Sequence, residues 1–348
     1  MENSAIEGEA PRTGRGWRVQ WTGRRIVVRL LGLLVTAISL YIFLPSLLDV
    51  FTSWREVLDL QPLWIAASIG CVAASFVSIW ELQRIAVGTR SWFVVATSHL
   101  AGASLGRIVP GGAATMAAVQ YRMLVRAGVP TGRAASGLTA AQALLLAILL
   151  GLPILALPAV IKGTSVDQAL ERSAYLGAVA FAILFVLGAV ALAFTRPLEL
   201  AGRGLAPLFR LVPQTREVSH HLPERLVGER NAIRAALGAR WKMALTASVA
   251  RWLFDFLALI TALYAVGATP SPSLVLLAYV AASLLGMIPL TPGGLGFVEA
   301  GLTGLLALAG VPAGAAVVAT LAYRLASFWL PIPAGPVAYW LFRRRFPT

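Results

Sequence analysis

Six long apolar runs constrain this chain more strongly than any other feature of its sequence. They occupy residues 26–48, 62–80, 134–161, 173–195, 243–268 and 315–342. An α-helix needs about 20 apolar residues to cross the roughly 30 Å hydrocarbon core of a bilayer. The chain is 58% hydrophobic and 13% charged, whereas soluble proteins are about 25% charged. We therefore expect an all-α polytopic membrane protein with six full transmembrane helices.

Two further apolar regions, residues 92–129 and 273–309, are each interrupted by a Pro-Gly-Gly tripeptide. Proline stops a helix, and glycine permits a tight turn after it. Lipid cannot hydrogen-bond the backbone groups that such a break exposes, so each break must pack inside the protein or line a wet cavity. We expect these regions to form two re-entrant helical hairpins, or two more spans if they cross the membrane. The breaks are Pro110, Gly111 and Gly112 in the first region and Pro292, Gly293 and Gly294 in the second.

The basic residues are unevenly distributed along the chain, which has a net charge of +14 and 29 Lys and Arg. Of these 29, 23 fall on one side if the N-terminus is cytoplasmic and each interrupted region returns to the side it entered from. Cytoplasmic loops of membrane proteins carry such an excess. The charge therefore predicts a cell-membrane protein with both termini cytoplasmic, in contact with anionic lipid headgroups at the cytoplasmic face. It does not indicate nucleic acid.

This pattern divides the chain into three parts. Residues 1–25 are expected to form a basic cytoplasmic tail, residues 26–342 a transmembrane domain, and residues 343–348 a cytoplasmic C-terminal tail. Within the domain, residues 196–242 are expected to form a basic cytoplasmic loop.

The two interrupted regions belong to an internal repeat. "PGG" at 110–112 is followed by "AGVP" at 127–130, and "PGG" at 292–294 is followed by "AGVP" at 309–312. Both pairs are displaced by 182 residues, since 292 − 110 and 309 − 127 are equal. The charge pattern predicts that the two halves, residues 62–161 and 243–342, are inverted in the membrane. Inverted repeats with broken helices are typical of transporters whose binding site lies near the bilayer midplane.

The second half also carries a family resemblance. "IPLTPGGLGFVEAGLTGLLALAGVP", followed by "AYRLASFWLPI", resembles the lysylphosphatidylglycerol synthase transmembrane-region family, often called flippase-like. The resemblance covers roughly residues 26–342, and its C-terminal motif is the specific part. It implies a polytopic fold with re-entrant helices and a role in moving or handling a lipid. It places Pro292, Gly293, Gly294, Gly296, Glu299 and Arg324 on positions characteristic of the family.

The sequence departs from the family pattern in two ways. The first half carries Ala113, Ala114 and Thr115 where the family often has an acid after its proline, which argues against a symmetric pair of acids. No aminoacyl-transferase domain follows Thr348, so we do not expect this chain alone to synthesise an aminoacylated lipid.

Charged residues at membrane depth are further candidates for a site. A carboxylate there costs about 2.5–3.5 kcal/mol, so Glu299 should face a partner or a wet cavity, with Arg324 the nearest candidate partner. Arg251 and Asp255 are four residues apart on one predicted helix and can pair along one face, in a structural or a functional role. Arg122 and the residues of both breaks complete the candidate substrate-binding or translocation set.

We expect a flippase-like protein that translocates or handles an anionic or lipid-linked headgroup across the cytoplasmic membrane. Its partner would be a membrane phospholipid or a polyprenyl-linked lipid. The alternative is a membrane-embedded enzyme, or an accessory subunit of one, acting on a lipid-linked substrate; a partner protein or a homo-oligomer is also open. Because the acids are isolated, we expect no enzymatic activity. The sequence shows no metal-ligand cluster and no nucleotide-binding loop, so we expect no metal and no cofactor.

Overall fold

A computed structural model of the chain describes residues 61–109, 112–155, 238–288 and 292–347, together with single positions between 179 and 235. Within these ranges the chain is helical and contains no β-strand. The predicted span at residues 26–48 and the predicted tail at 1–25 lie outside the described residues. So do the span at 173–195 and the loop at 196–242, apart from single positions and the end of that loop.

The described part of the first half forms four α-helices in chain order. They are α1 (Pro62–Val87), α2 (Trp92–Ile108), α3 (Gly112–Arg126) and α4 (Thr131–Gly151). A 3-10 turn, Leu152–Leu155, continues α4.

The described part of the second half forms five α-helices. It contains α5 (Trp241–Ala265), α6 (Pro272–Leu285), α7 (Phe297–Leu308), α8 (Ala313–Arg324) and α9 (Pro331–Arg345). A π-helical turn, Leu325–Trp329, joins α8 to α9.

Four helical segments of the described residues are long and apolar enough to cross a membrane. They are Pro62–Val87, Thr131–Leu155, Gly238–Ala265 and Ala313–Arg345. Each overlaps one of the six predicted spans. The all-helical, multi-pass membrane architecture is therefore confirmed for this part of the chain.

The local sequence explains where α1 begins and ends and where α2 begins. Pro62 lies in the first turn of α1, where its missing N–H removes no helical hydrogen bond. α1 ends at Gly88, whose φ of 71° is a left-handed conformation that glycine adopts without strain. Ser91 then caps α2, because its Oγ accepts a hydrogen bond from the Val94 N–H at 3.3 Å. The two helices are thus joined by a tight turn.

Each interrupted region forms a hairpin of two antiparallel helices. In the first hairpin a Cβ atom on Gly106 of α2 would lie 2.6 Å from the Gly112 carbonyl oxygen of α3. In the second, a Cβ atom on Gly301 of α7 would lie 2.9 Å from the Leu285 side chain of α6. Because glycine has no side chain, the paired helices can approach closely at these positions.

The two halves pack against each other through corresponding elements. α1 lies along α5, and the Ser68 hydroxyl donates to the Ala258 carbonyl between them at 2.9 Å. α2 packs against α9 of the other half, and α6 packs against the 3-10 turn that follows α4. The 182-residue offset carries the first residue of α4 onto the first residue of α8, since 131 + 182 = 313.

Candidate functional site

Glu299 and Arg324 form a buried ion pair between α7 and α8. Arg324 Nε donates to Glu299 Oε1 at 2.6 Å, and Glu299 is only 5% exposed. The other carboxylate oxygen, Oε2, accepts from the Gly296 N–H at 2.8 Å, and Arg324 Nη2 donates to the Gly293 carbonyl at 3.4 Å. The pairing predicted from the sequence is present, and both oxygens of the carboxylate are occupied.

Three glycines turn the chain into α7. Gly293, Gly294 and Gly296 have φ angles of 61°, 72° and 80°, a region in which any other residue would be strained. A Cβ atom on Gly293 would lie 2.6 Å from the Phe328 ring and 3.0 Å from the Arg107 carbonyl oxygen. The second break is therefore packed inside the protein, next to the end of α2.

Asp255 of α5 is the centre of a second buried cluster. Its Oδ2 accepts hydrogen bonds from the hydroxyls of Tyr279 at 2.7 Å and Tyr323 at 2.8 Å. Its Oδ1 forms an ion pair with Arg251 Nη1 at 3.1 Å. Both oxygens of Asp255 therefore have partners within the protein, and the charge of Arg251 is matched.

Arg107, near the C-terminal end of α2, adds a third guanidinium. It lines one cavity together with Arg251 and lies over the same Phe328 ring as Arg324. Its Nη2 donates to the Ser327 carbonyl at 3.0 Å, while Nη1 is buried without a hydrogen-bond partner. Among the described residues, no carboxylate lies within ion-pair distance of Arg107.

Phe328 lies close to two of these arginines. Its ring centroid is 4.3 Å from Arg324 Cζ and 5.3 Å from Arg107 Cζ, distances at which the ring face attracts a cation. Phe328 belongs to the π-helical turn, and such turns are frequent at functional sites. The aromatic ring thus connects the Glu299–Arg324 pair to Arg107.

A cavity of about 240 Å³ lies among α1, α2, α3 and α5. Three polar residues, His99, Arg107 and Arg251, contribute to its described lining, and the others are glycines and apolar side chains. His99 is 4% exposed, and its Nδ1 has no hydrogen-bond partner. The cavity therefore offers buried hydrogen-bonding groups within an apolar wall.

The remaining predicted site residues do not all lie at this site. Gly112 begins α3 and lines the cavity, and Pro292 begins the 3-10 turn of the second break. Arg122 is exposed on α3 and is absent from the described cavity lining. Pro110 and Gly111 lie outside the described residues.

Sequence reasoning did not select five residues that the structure places in this region: His99, Arg107, Tyr279, Tyr323 and Phe328. Arg107 could have been found, because it is a charged residue at predicted membrane depth like Arg251 and Arg324. Tyr279 and Tyr323 carry no such signal, since tyrosine is common in apolar helices near interfaces.

The described residues contain no group of three or more His, Cys, Asp or Glu side chains that could hold a metal ion. His99 is accompanied in the cavity by arginines, which do not ligate metals in proteins.

The described residues form a helical, multi-pass membrane protein with a buried charged centre beside a helix break. The chain belongs to the family described as "Lysylphosphatidylglycerol synthase TM region", whose model matches residues 29–335. This match agrees with the resemblance seen in the second-half motif.

Two curated relatives are "UPF0104 membrane protein" sequences from Methanothermobacter thermautotrophicus strain Delta H. One is 33% identical over 90 residues, covering 26% of this chain and 27% of the relative. The other is 33% identical over 91 residues, covering 26% of each. The chain thus matches about a quarter of the length of these relatives. No solved structure matches the chain.

Proposed function

We propose that this protein is a flippase-like membrane protein that translocates or handles an anionic or lipid-linked headgroup across the cytoplasmic membrane. The observation that carries the proposal is the convergence of three arginines and two carboxylates next to a helix break. Charged side chains in membrane segments are costly and mark substrate pathways by default. The polar headgroup of a lipid, unlike its acyl chains, needs charged groups of this kind within the membrane.

The arrangement of the two halves supports a transport role. Corresponding helices recur at one offset, and each half packs against the other through corresponding elements. We propose that the halves form an inverted repeat, with both interrupted regions re-entrant and both termini cytoplasmic. Two such halves can rock against each other around a fixed site, which is how many transporters alternate access.

The arrangement of the acids favours transport over catalysis. Asp255 is held by two tyrosine hydroxyls and an arginine, and Glu299 by Arg324 and a backbone amide. General acid–base catalysis needs a group within hydrogen-bond reach of the reacting proton, and neither carboxylate has an unoccupied oxygen. We therefore propose that the protein moves its lipid without changing it chemically.

The test is leaflet exchange in liposomes that contain the purified protein. Fluorescently labelled phosphatidylglycerol and a labelled polyprenyl phosphate are placed in both leaflets, and a membrane-impermeant quencher reports how fast the inner pool reaches the outside. We expect exchange of at least one of these lipids to be faster than in protein-free liposomes and slower with Arg324→Gln. Exchange at the protein-free rate for both lipids would contradict the proposal.

A further inference from the structure

The cavity among α1, α2, α3 and α5 holds polar groups that the protein itself does not satisfy. Arg107 Nη1 and His99 Nδ1 are buried without a hydrogen-bond partner. Both residues line this one cavity together with Arg251, whose Nη1 is paired with Asp255. Buried polar groups in folded proteins are nearly always hydrogen-bonded, so a cluster of exceptions calls for an occupant. The occupant must mainly accept hydrogen bonds, because a guanidinium only donates them.

The charge balance around the cavity points to the same kind of occupant. The described cluster contains three arginines, Arg107, Arg251 and Arg324, but only two carboxylates. The two carboxylates already engage Arg251 and Arg324, so the unmatched positive charge is that of Arg107. A buried charge without a counter-charge is strongly unfavourable, and an anion in the cavity would neutralise it.

We propose that this cavity is an anion subsite, which binds the phosphate of a lipid headgroup between Arg107 and Arg251. This inference rests on the proposed function and specifies which part of the substrate the site recognises. Guanidinium groups present parallel N–H donors that match two oxygens of a phosphate. His99 Nδ1 provides a third polar contact within the same wall.

The size and the lining of the subsite restrict the headgroup. Its volume of about 240 Å³ lies below the roughly 300–1,000 Å³ of pockets that hold drug-sized ligands, so it suits a phosphate with a small polar group. The described lining contains two arginines and no carboxylate, so an ammonium beside the phosphate would be repelled. The subsite therefore favours an anionic headgroup such as phosphatidylglycerol over its cationic, lysylated counterpart.

Binding can be measured on the full-length protein in maltoside micelles, which contain no phosphate. Thermal unfolding is followed during titration with short-chain phosphatidylglycerol, short-chain lysyl-phosphatidylglycerol or inorganic phosphate, and the shifts yield apparent affinities. We expect phosphatidylglycerol to bind at least about tenfold more tightly than lysyl-phosphatidylglycerol, the difference that one charge-assisted contact makes. Equal or tighter binding of the lysylated lipid would overturn the predicted selectivity.

Arg107→Gln is the decisive variant. We expect phosphatidylglycerol to bind it at least about tenfold more weakly. Because Arg107 has no carboxylate partner among the described residues, the ligand-free variant should unfold at the same temperature as the wild type or higher. Arg126→Gln, which removes an exposed arginine of α3 outside the described cavity lining, is the matched control and should bind like the wild type. Unchanged binding by Arg107→Gln would overturn the subsite.

A second variant covers the case in which Arg107→Gln does not fold. Ala103→Leu adds bulk to the cavity wall without removing a charge, and it should also lose phosphatidylglycerol binding. If Ala103→Leu folds and binds as tightly as the wild type, the cavity is not the site.

The source of the anion is decided by the wild-type titrations. Stabilisation by phosphatidylglycerol but not by inorganic phosphate supports a lipid headgroup, and stabilisation by both supports a subsite that the phosphate alone can fill. Stabilisation by neither overturns the inference. Lipid exchange with no anion binding would leave the proposed function standing without this subsite, and anion binding without exchange would leave the subsite standing without transport.

Discussion

Arg324 reaches Glu299 across 25 residues of sequence, and its Nε lies 2.6 Å from the carboxylate Oε1. The two side chains are 12% and 6% exposed. The second oxygen of Glu299 holds the N–H of Gly296, so the pair ties α8 to the point where the chain leaves the second break. Neither charge would be stable there alone, because desolvation of one buried ion is offset only by its partner.

A double-mutant cycle on this pair should show strong coupling. Glu299→Gln and Arg324→Gln each leave one buried charge unmatched, which costs about 3–5 kcal/mol in buried pairs. The double variant should lose less stability than the sum of the two single variants. The measurement is reversible unfolding of the purified protein in mixed detergent micelles.

The Glu81–Arg84 pair is the matched control for that cycle. It has a similar distance of 2.6 Å, but its side chains are about one-fifth exposed and lie one helical turn apart. Because this pair is more exposed than Glu299 and Arg324, its charges are less desolvated, so Arg84→Gln should cost less stability than Arg324→Gln. Strictly additive losses at Glu299 and Arg324 would contradict the coupling.

The hydroxyls around Asp255 should each contribute to stability. Tyr279→Phe and Tyr323→Phe remove one donor each from a buried carboxylate, and hydrogen bonds to charged groups are worth about 1.5–3 kcal/mol. Tyr339→Phe, at a tyrosine that is 44% exposed, should have little effect. The stability of all three variants is measured by unfolding in micelles. If Tyr279→Phe and Tyr323→Phe are as stable as the wild type, Asp255 does not depend on these hydroxyls.

Hydrophobicity was sufficient to predict the described spans. A long apolar run in a bilayer has few alternatives to a helix, because every backbone group must be hydrogen-bonded internally. The first Pro-Gly-Gly tripeptide likewise located the end of α2 and the beginning of α3, whereas α6 already ends at Leu285, before the second tripeptide, and α7 begins at Phe297 after it. The packing of α2 against α9 could not be predicted in this way, since lipid-facing and protein-facing apolar residues look alike in sequence.

The site was less predictable because its charges are not repeated. At the 182-residue offset, Glu299, Arg324 and Asp255 correspond to Ala117, Gln142 and Ala73 (299 − 182, 324 − 182 and 255 − 182). The repeat therefore indicates where the helices lie but not which half supplies each charge. The pairing of Glu299 with Arg324 could be predicted, because two opposite charges at membrane depth on consecutive helices have few other partners. The two hydroxyls on Asp255 depend on side-chain packing across three helices, which no sequence pattern reports.

Glycine should be required at the second break for a conformational reason. Gly293→Ala places a side chain at a φ of 61° and brings it 2.6 Å from the Phe328 ring. We expect a loss of about 1–3 kcal/mol, the usual cost of a strained backbone position, together with slower lipid exchange.

Gly304→Ala is the control for that substitution. Gly304 lies within α7, and a Cβ atom there would meet nothing within 4 Å. Alanine in a helix is more favourable than glycine by about 1 kcal/mol, so this variant should be as stable as the wild type or more so. Equal losses at Gly293 and Gly304 would show that the break has no special requirement for glycine.

The proposed orientation predicts which loops are accessible from outside the cell. Thr131 follows the first hairpin and Thr269 precedes the second, and both are exposed at the ends of helices. If the halves are inverted, Thr131 faces the cytoplasm with the basic residues around it, and Thr269 faces outward. The native Cys71 is removed as Cys71→Ala, and a single cysteine is placed at either position. A membrane-impermeant maleimide should then label Thr269→Cys in intact cells, whereas Thr131→Cys should react only after the membrane is permeabilised. Labelling of both positions in intact cells would place them on the same side, and the two halves could not then be inverted.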